Sequence, residues 1–253
     1  MAKGEVIDEC GRSVDPVTAY RVGACIFYYR ELENEKLIPF AEQVLYSDEH
    51  ILVADKPHFL PVIPSGRFLR QTLLVRLRNT YNLESLVPIH RLDRETAGVV
   101  LFSVNSKTRG HYTSLFRDRK VTKVYEAQAP TMETTRLPTI RRSRIVRGEP
   151  FFRMKEVAGP INSEANSETQ ITIGREVGRD SIYELIPLTG RKHQLRLHLA
   201  ALGIPIVNDK LYPVITRVAD DDFSHPLKLL AKSLSFACPL TGQQLYFESG
   251  IKL

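Results

Sequence analysis

The stretch that most constrains this chain runs from His90 to Phe102 and reads HRLDRETAGVVLF. Its first half is dense in charge and hydrogen-bonding groups. Its second half, Val99-Val100-Leu101-Phe102, is a continuous apolar run rich in β-branched residues, the pattern of a buried strand. Ala97 and Gly98 stand between the halves and are small enough to let another backbone approach closely. Asp93 therefore sits in a loop that a rigid strand holds, with Arg91 and Arg94 nearby to favour its ionised form. On these residues alone, a salt bridge that closes the loop and a catalytic carboxylate are equally good readings.

The rest of the chain reads as strands and helices around this point. Residues 1–40 are expected to form an N-terminal extension without an assignable role, with strand character at 22–29 and a charged turn at 31–36. Residues 41–253 are expected to form one compact domain, a size that supports a sizeable core. Residues 44–54 have a hairpin pattern, two apolar runs about a Ser-Asp-Glu-His turn. Three prolines within 57–64 force extended backbone. Helices are expected at 71–81, where Leu73, Leu74 and Leu77 share a face, at 106–116, and after Gly190, where Leu195, Leu199 and Leu202 have helical spacing. Strands are expected at 121–129, 170–173, 181–187 and 230–239.

Composition narrows the function classes. No apolar run approaches the length that crosses a bilayer, and the first residues contain no apolar leader. Cys10, Cys25 and Cys238 are scattered and odd in number, which points to reduced thiols and a cytoplasmic protein. No His or Cys cluster has metal-ligand spacing, so no metal is expected. The net charge of +6 and pI of about 9.2 fit a polyanionic partner. Arg136, Arg141, Arg142, Arg144 and Arg147 fall within twelve residues that contain no acid, so a basic loop is expected there at the mouth of a cleft.

The motifs resemble those of the RluA family of RNA pseudouridine synthases. HRLDRETAGVVLF is similar to the family signature H-R-L-D-x-x-T-S-G-L-L-L, with Ala97 in place of Ser. GRKHQLRLHL, starting at Gly190, is similar to G-R-T-H-Q-[IL]-R-x-H-L, with Lys192 in place of Thr. Weaker likenesses cover KPHFLPVIP from Lys56, with Phe59 at a family glycine, the triplet Lys123-Val124-Tyr125, and GIPIVNDKLY from Gly203, with Asn208 at a second glycine. Near the end, Leu230 and Cys238 replace two family histidines. The resemblance spans roughly residues 44–247, and the N-terminal segment does not resemble an S4 domain.

The resemblance implies an α+β pseudouridine synthase fold, a mixed and mostly antiparallel sheet with flanking helices and a central catalytic cleft. It implies that Asp93 is the nucleophile, that Arg196 pairs with it, and that Tyr125 lies against the target base and serves a proton route. Arg91 would fill the stack vacated by a flipped nucleotide, and Lys56, Arg94, Arg141, Arg142, Arg144, Arg191 and His193 would contact RNA. The reaction is an isomerisation, so no cofactor is expected. The expected partner is a stem-loop of rRNA or tRNA, bound by a monomer. Two alternatives remain open at this point. One is an inert RNA-binding protein or RNA chaperone on the same cleft. The other is a glycosidase-like enzyme, which needs a second carboxylate about 5–10 Å from Asp93 and for which Glu95 is the candidate.

Overall fold

The computed structural model describes residues 6–28, 32, 35–133, 140–157, 165–216 and 222–253. The chain divides into two compact units, Met1–Glu35 and Lys36–Leu253. The first contains a small antiparallel pair, β1 (Val6–Asp8) and β2 (Ile26–Tyr28). The strand expected at 22–29 is thus realised only at its C-terminal end, and its partner β1 has no apolar alternation that would have announced it.

The second unit is built on an eleven-stranded sheet. Its chain order is β3 (Gln43–Ser47), β4 (Ile51–Lys56), helix α1 (Leu73–Tyr81), β5 (Val87–Pro88), β6 (Ala97–Ser103), α2 (Arg109–Arg117), β7 (Thr122–Pro130), β8 (Ile140–Arg147), β9 (Met154–Val157), β10 (Ser167–Val177), β11 (Asp180–Pro187), α3 (Gln194–Ala201), β12 (Leu229–Ala237) and β13 (Gln244–Glu248). Across the sheet the order is β3-β4-β6-β12-β7-β11-β10-β8-β9, with β5 on β6 and β13 on β12. All pairings are antiparallel except that of β12 with β6. This is the mixed, mostly antiparallel α+β sheet expected above.

The central position of β12 depends on Gly98. β12 meets β6 through Leu230 opposite Ala97 and Ala231 opposite Gly98. A Cβ on Gly98 would lie 2.2 Å from the carbonyl oxygen of Ala231, and the residue has φ +114. Both facts require glycine. The apolar run after it is buried throughout, as is β4 beside it. Leu52, Ala54, Val100 and Phe102 pack towards α1, while Ile51, Val53, Val99 and Leu101 pack towards α2 and β12. The alternation of side chains across a strand thus builds two cores from one run.

α1 begins at Thr72, an extended N-cap whose hydroxyl accepts from the Val75 amide, and buries Leu73, Leu74 and Leu77 as their spacing predicts. It ends at Asn82 in the left-handed region. α3 is different, because residues from Gln194 to Leu199 are all buried. Its leucine face was readable from spacing, but its polar face is buried as well, against the site.

Candidate active site

The two strongest motifs converge on one cleft of about 960 Å³. The Asp93 loop joins β5 to β6, α3 brings His193 and Arg196, and β7 brings Tyr125, all into the cleft wall. Tyr125 is at the centre of the sheet, paired with Ala231 on one side and Leu185 on the other. Arg91, Arg94, Arg117, Arg119, Lys123, Arg191, Lys192 and Arg196 also line the cleft, and among the described residues Asp93 is the one acidic residue in its lining.

Asp93 is held in place from behind. The Asp93 carbonyl accepts from the Thr96 amide at 3.1 Å, closing the loop. Lys56, at the end of β4, is fully buried and donates from Nζ to the carbonyls of Pro57, Leu60 and Arg94 at 2.9, 2.8 and 3.2 Å. Burial pushes its ammonium down to about 7. Lys56 therefore does not reach RNA as expected, because its three donors staple the Pro57–Leu60 backbone to the Asp93 loop. Arg94 is committed in the same way. Its Nε donates to the Phe59 carbonyl at 3.0 Å, Nη1 meets Glu95 at 3.1 Å, and its guanidinium lies 4.9 Å from the Phe68 ring centroid. Phe59 itself has φ 66, the left-handed backbone that the family glycine would adopt, and its buried ring packs on Phe40 and Phe223. Asn208 has φ 64, so the second glycine replacement keeps its turn.

Arg196 has two carboxylate partners. Its Nε and Nη2 donate to Asp209 Oδ2 and Oδ1 at 2.7 and 2.6 Å, while Nη1 lies 3.6 Å from Asp93 Oδ2. The expected pairing with Asp93 exists, but only as the longer of the two contacts. Burial opposes the charge of Arg196, yet hydrogen bonds and charge from Asp209, and the charge of Asp93, hold it above its ordinary value. Asp209 Oδ1 also accepts from the amides of Leu211 and Tyr212. Asp209 and Tyr212 lie in the Gly203–Tyr212 likeness, which was the available signal for them, but nothing in their spacing gave them a role.

His193 has φ 58 at the start of α3 and is buried beside Asp93, with Nε2 3.8 Å from Asp93 Oδ2. Its other nitrogen lies 2.8 Å from the Tyr212 hydroxyl. Burial pushes His193 down to about 4 despite the Asp93 charge, so it is neutral near pH 7. Burial, then the Asp93 charge, raises Tyr125 far above its ordinary value, which keeps it a phenol. His90 stacks on Phe116 at 4.8 Å and accepts the Leu101 amide at 3.1 Å, fixing the start of the motif to β6. Arg91, next to it, is exposed at the cleft wall.

The arginine run requires a correction. It lies on strand β8 rather than in a loop, and acids from neighbouring strands neutralise part of it. Arg141 pairs with Glu156 of β9 at 2.6 Å, and Arg142 with Glu168 of β10 at 2.9 Å. Neither they nor Arg144 line the cleft, and Arg136 lies outside the described residues. The cross-strand acids are far away in sequence, so a window of twelve residues could not show them. Arg191 does line the cleft, with its Nε donating to the Asn166 carbonyl at 3.0 Å. Among the described residues there is no cluster of metal-ligating side chains and no helix long and apolar enough to cross a membrane.

Comparison with known proteins gives the same assignment. The RNA pseudouridylate synthase family pattern matches residues 50–201. An uncharacterized RNA pseudouridine synthase of Synechocystis is 31% identical over 210 residues, 81% of this chain and 70% of the relative. The dual-specificity RNA pseudouridine synthase RluA of Pasteurella multocida is 31% identical over 83% of this chain and 93% of its own length. Other relatives are longer, and the chain spans between 30% and 46% of several of them. The solved human RNA pseudouridylate synthase domain containing 4 superposes with a TM-score of 0.64 at 26% identity, covering 83% of this chain and 88% of that one. The motif loop and the α3 motif both lie inside residues 50–201, and the chain belongs to the RNA pseudouridylate synthase family.

Proposed function

We propose that this chain isomerises uridine to pseudouridine in structured rRNA or tRNA, with Asp93 as the nucleophile. The observation that carries the reading is the charge pattern of the cleft, where the described residues set one carboxylate in a wall of eight arginines and lysines. A polyanion is attracted to such a wall, and the single negative group is left to meet the sugar carbon. The glycosidase alternative loses its support, since Glu95 is not in the cleft lining and pairs with Arg94.

The chemistry follows from the residues. A stacked uracil cannot reach Asp93, so the nucleotide flips out, at a cost of roughly a few kcal/mol. Arg91, exposed at the wall with a planar guanidinium, fills the gap. Asp93 attacks C1′ as the N1–C1′ bond breaks, or holds the positive charge that develops there. The detached uracil turns against the Tyr125 ring. C5 then bonds to C1′ and Asp93 is released. The C5 proton leaves and N1 gains one, so the atoms balance without a redox partner or a transferred group. Arg196 aims Asp93.

The catalytic domain is the second compact unit, acting as a cytoplasmic monomer on a stem-loop. The test is mapping of pseudouridine in total RNA with and without the gene, followed by conversion of the mapped RNA by purified protein. Loss of one or a few rRNA or tRNA pseudouridines is the expected result. Unchanged maps, together with tight binding of RNA, would favour the inert RNA-binding alternative.

A further inference from the structure

Tyr212 holds one nitrogen of His193 and leaves the other facing the cleft. The Tyr212 hydroxyl accepts from the Met154 amide at 2.8 Å and lies 3.2 Å from the Met154 carbonyl. It also lies 2.8 Å from His193 Nδ1, which fixes the ring. Nε2 is left facing the cleft, 3.8 Å from Asp93 Oδ2. A hydroxyl, which both donates and accepts, can bridge two groups at this distance.

The stereochemistry of the reaction says which group that is. The base leaves C1′ from one face of the ribose, so a nucleophile approaches from the other. In a ribonucleotide that other face carries the 2′-hydroxyl, on the carbon next to C1′. A hydroxyl is therefore delivered beside Asp93 whenever Asp93 is in position to attack. We propose that His193 Nε2 hydrogen-bonds the 2′-hydroxyl of the target nucleotide and makes the site selective for ribose over deoxyribose. The 2′-hydroxyl is the feature by which a protein distinguishes RNA from DNA at a given nucleotide. The inference rests on the pseudouridine synthase reading, and it adds to that reading a residue for sugar selectivity.

The charged and titratable neighbours of the ring are Asp93 from the motif loop, Arg196 and Lys192 from around α3, and Asp209 and Tyr212 from the segment after it. Among the described residues none of the cations is a hydrogen-bond partner of Nε2, so that nitrogen remains available to the sugar. The left-handed backbone of His193 tolerates Asn better than most residues, which makes His193→Asn the variant of choice. Its side chain is too short to present a hydrogen-bonding group at the position of Nε2.

The experiment uses the RNA mapped as substrate, synthesised with ribose or 2′-deoxyribose at the target uridine. kcat/KM is measured on both for wild-type, His193→Asn and Tyr212→Phe proteins, with thermal melting to show that each variant is folded. Removing the 2′-hydroxyl also alters the intrinsic reactivity of C1′, but that effect cancels in the ratio of ratios. The expected result is that His193→Asn lowers the ribose-to-deoxyribose preference by about tenfold, the effect of one hydrogen bond that would otherwise be left unmade. Tyr212→Phe, which removes the contact that fixes the His193 ring, lowers it by a smaller factor. A preference that is unchanged in folded His193→Asn overturns the inference while leaving the pseudouridine synthase reading intact. No pseudouridine from wild-type protein on the ribose RNA overturns both.

Discussion

Asp209 holds Arg196 by two short hydrogen bonds, and the nitrogen left over is the one that faces Asp93. Arg196 and Asp209 are almost completely buried, whereas the Asp93 side chain is 29% exposed. The arginine is thus fixed to the scaffold by one carboxylate and offered to the cleft beside the other. Its orientation does not depend on Asp93.

This arrangement makes Asp209 a positioning residue. Asp209→Asn keeps the shape but leaves the buried guanidinium without its counter-charge, a loss of about 3–5 kcal/mol in stability. Single-turnover rates of the folded fraction should fall much further than RNA affinity, because Arg196 is no longer aimed. Arg196→Lys has one point charge and cannot span both carboxylates, so it should lose turnover in the same way. Near-normal single-turnover rates in both variants would show that Asp93 is oriented by something else.

Tyr125 is expected to act as a ring rather than a base. Burial and the Asp93 charge keep its hydroxyl protonated, so it cannot take up the C5 proton. Tyr125→Phe should slow tritium release from C5-labelled RNA by less than about tenfold, whereas loss of a general base costs roughly a hundredfold or more. A slowing of that larger size would restore the hydroxyl to the proton route.

Salt dependence distinguishes the two basic regions. Arg119→Gln and Lys192→Gln remove cations from the cleft wall. For each RNA phosphate that is no longer neutralised, the slope of log affinity against log salt should become shallower by about 0.7–0.9. Arg141→Gln and Arg142→Gln remove cations already paired across strands, and should leave the slope nearly unchanged. The reverse pattern would move the RNA track from the cleft wall to β8.

Three histidines give the fold an acid limit. Burial lowers His193 to about 4, and His90 and His198 to about 3. Unfolded histidine titrates near 6.5, so between about 4 and 6.5 the unfolded chain binds more protons than the folded one. The stability involved is fully present above about 6.5 and is lost as pH falls below it, at about 1.4 kcal/mol per pH unit for each group. Urea unfolding at pH 7.5 and 5.5 should therefore differ by about 4 kcal/mol from these three groups. His198→Gln should reduce the drop by about a third, since His198 is buried among Thr169, Ser143 and Ser167. Equal stability at the two pH values would mean that the rings take up protons without penalty.

Much of the site was legible because its groups lie in short local patterns. The Asp93 loop, the close approach at Gly98, the leucines of α1 and the left-handed turn at Asn208 can each be read within about a dozen residues. Lys56, Arg141 and Arg142 were misread for one reason. A cation's exposure and partners depend on which strands the sheet brings beside it, and those lie far away in sequence. Lys56 binds the Arg94 carbonyl 38 positions away, and Arg142 pairs with Glu168 at a separation of 26. Asp209 and Tyr212 went unassigned because their partners on α3 are set by a turn that spacing does not reveal.

The most direct measurement is pseudouridine formation by Asp93→Asn and wild-type protein on the same mapped RNA, with binding followed in parallel. The substitution keeps the shape of the side chain and removes its charge. Wild-type protein is expected to convert the target uridine, and Asp93→Asn to bind the RNA about as tightly and form no pseudouridine. Substantial product from a clean Asp93→Asn preparation would contradict the assignment of Asp93 as the nucleophile.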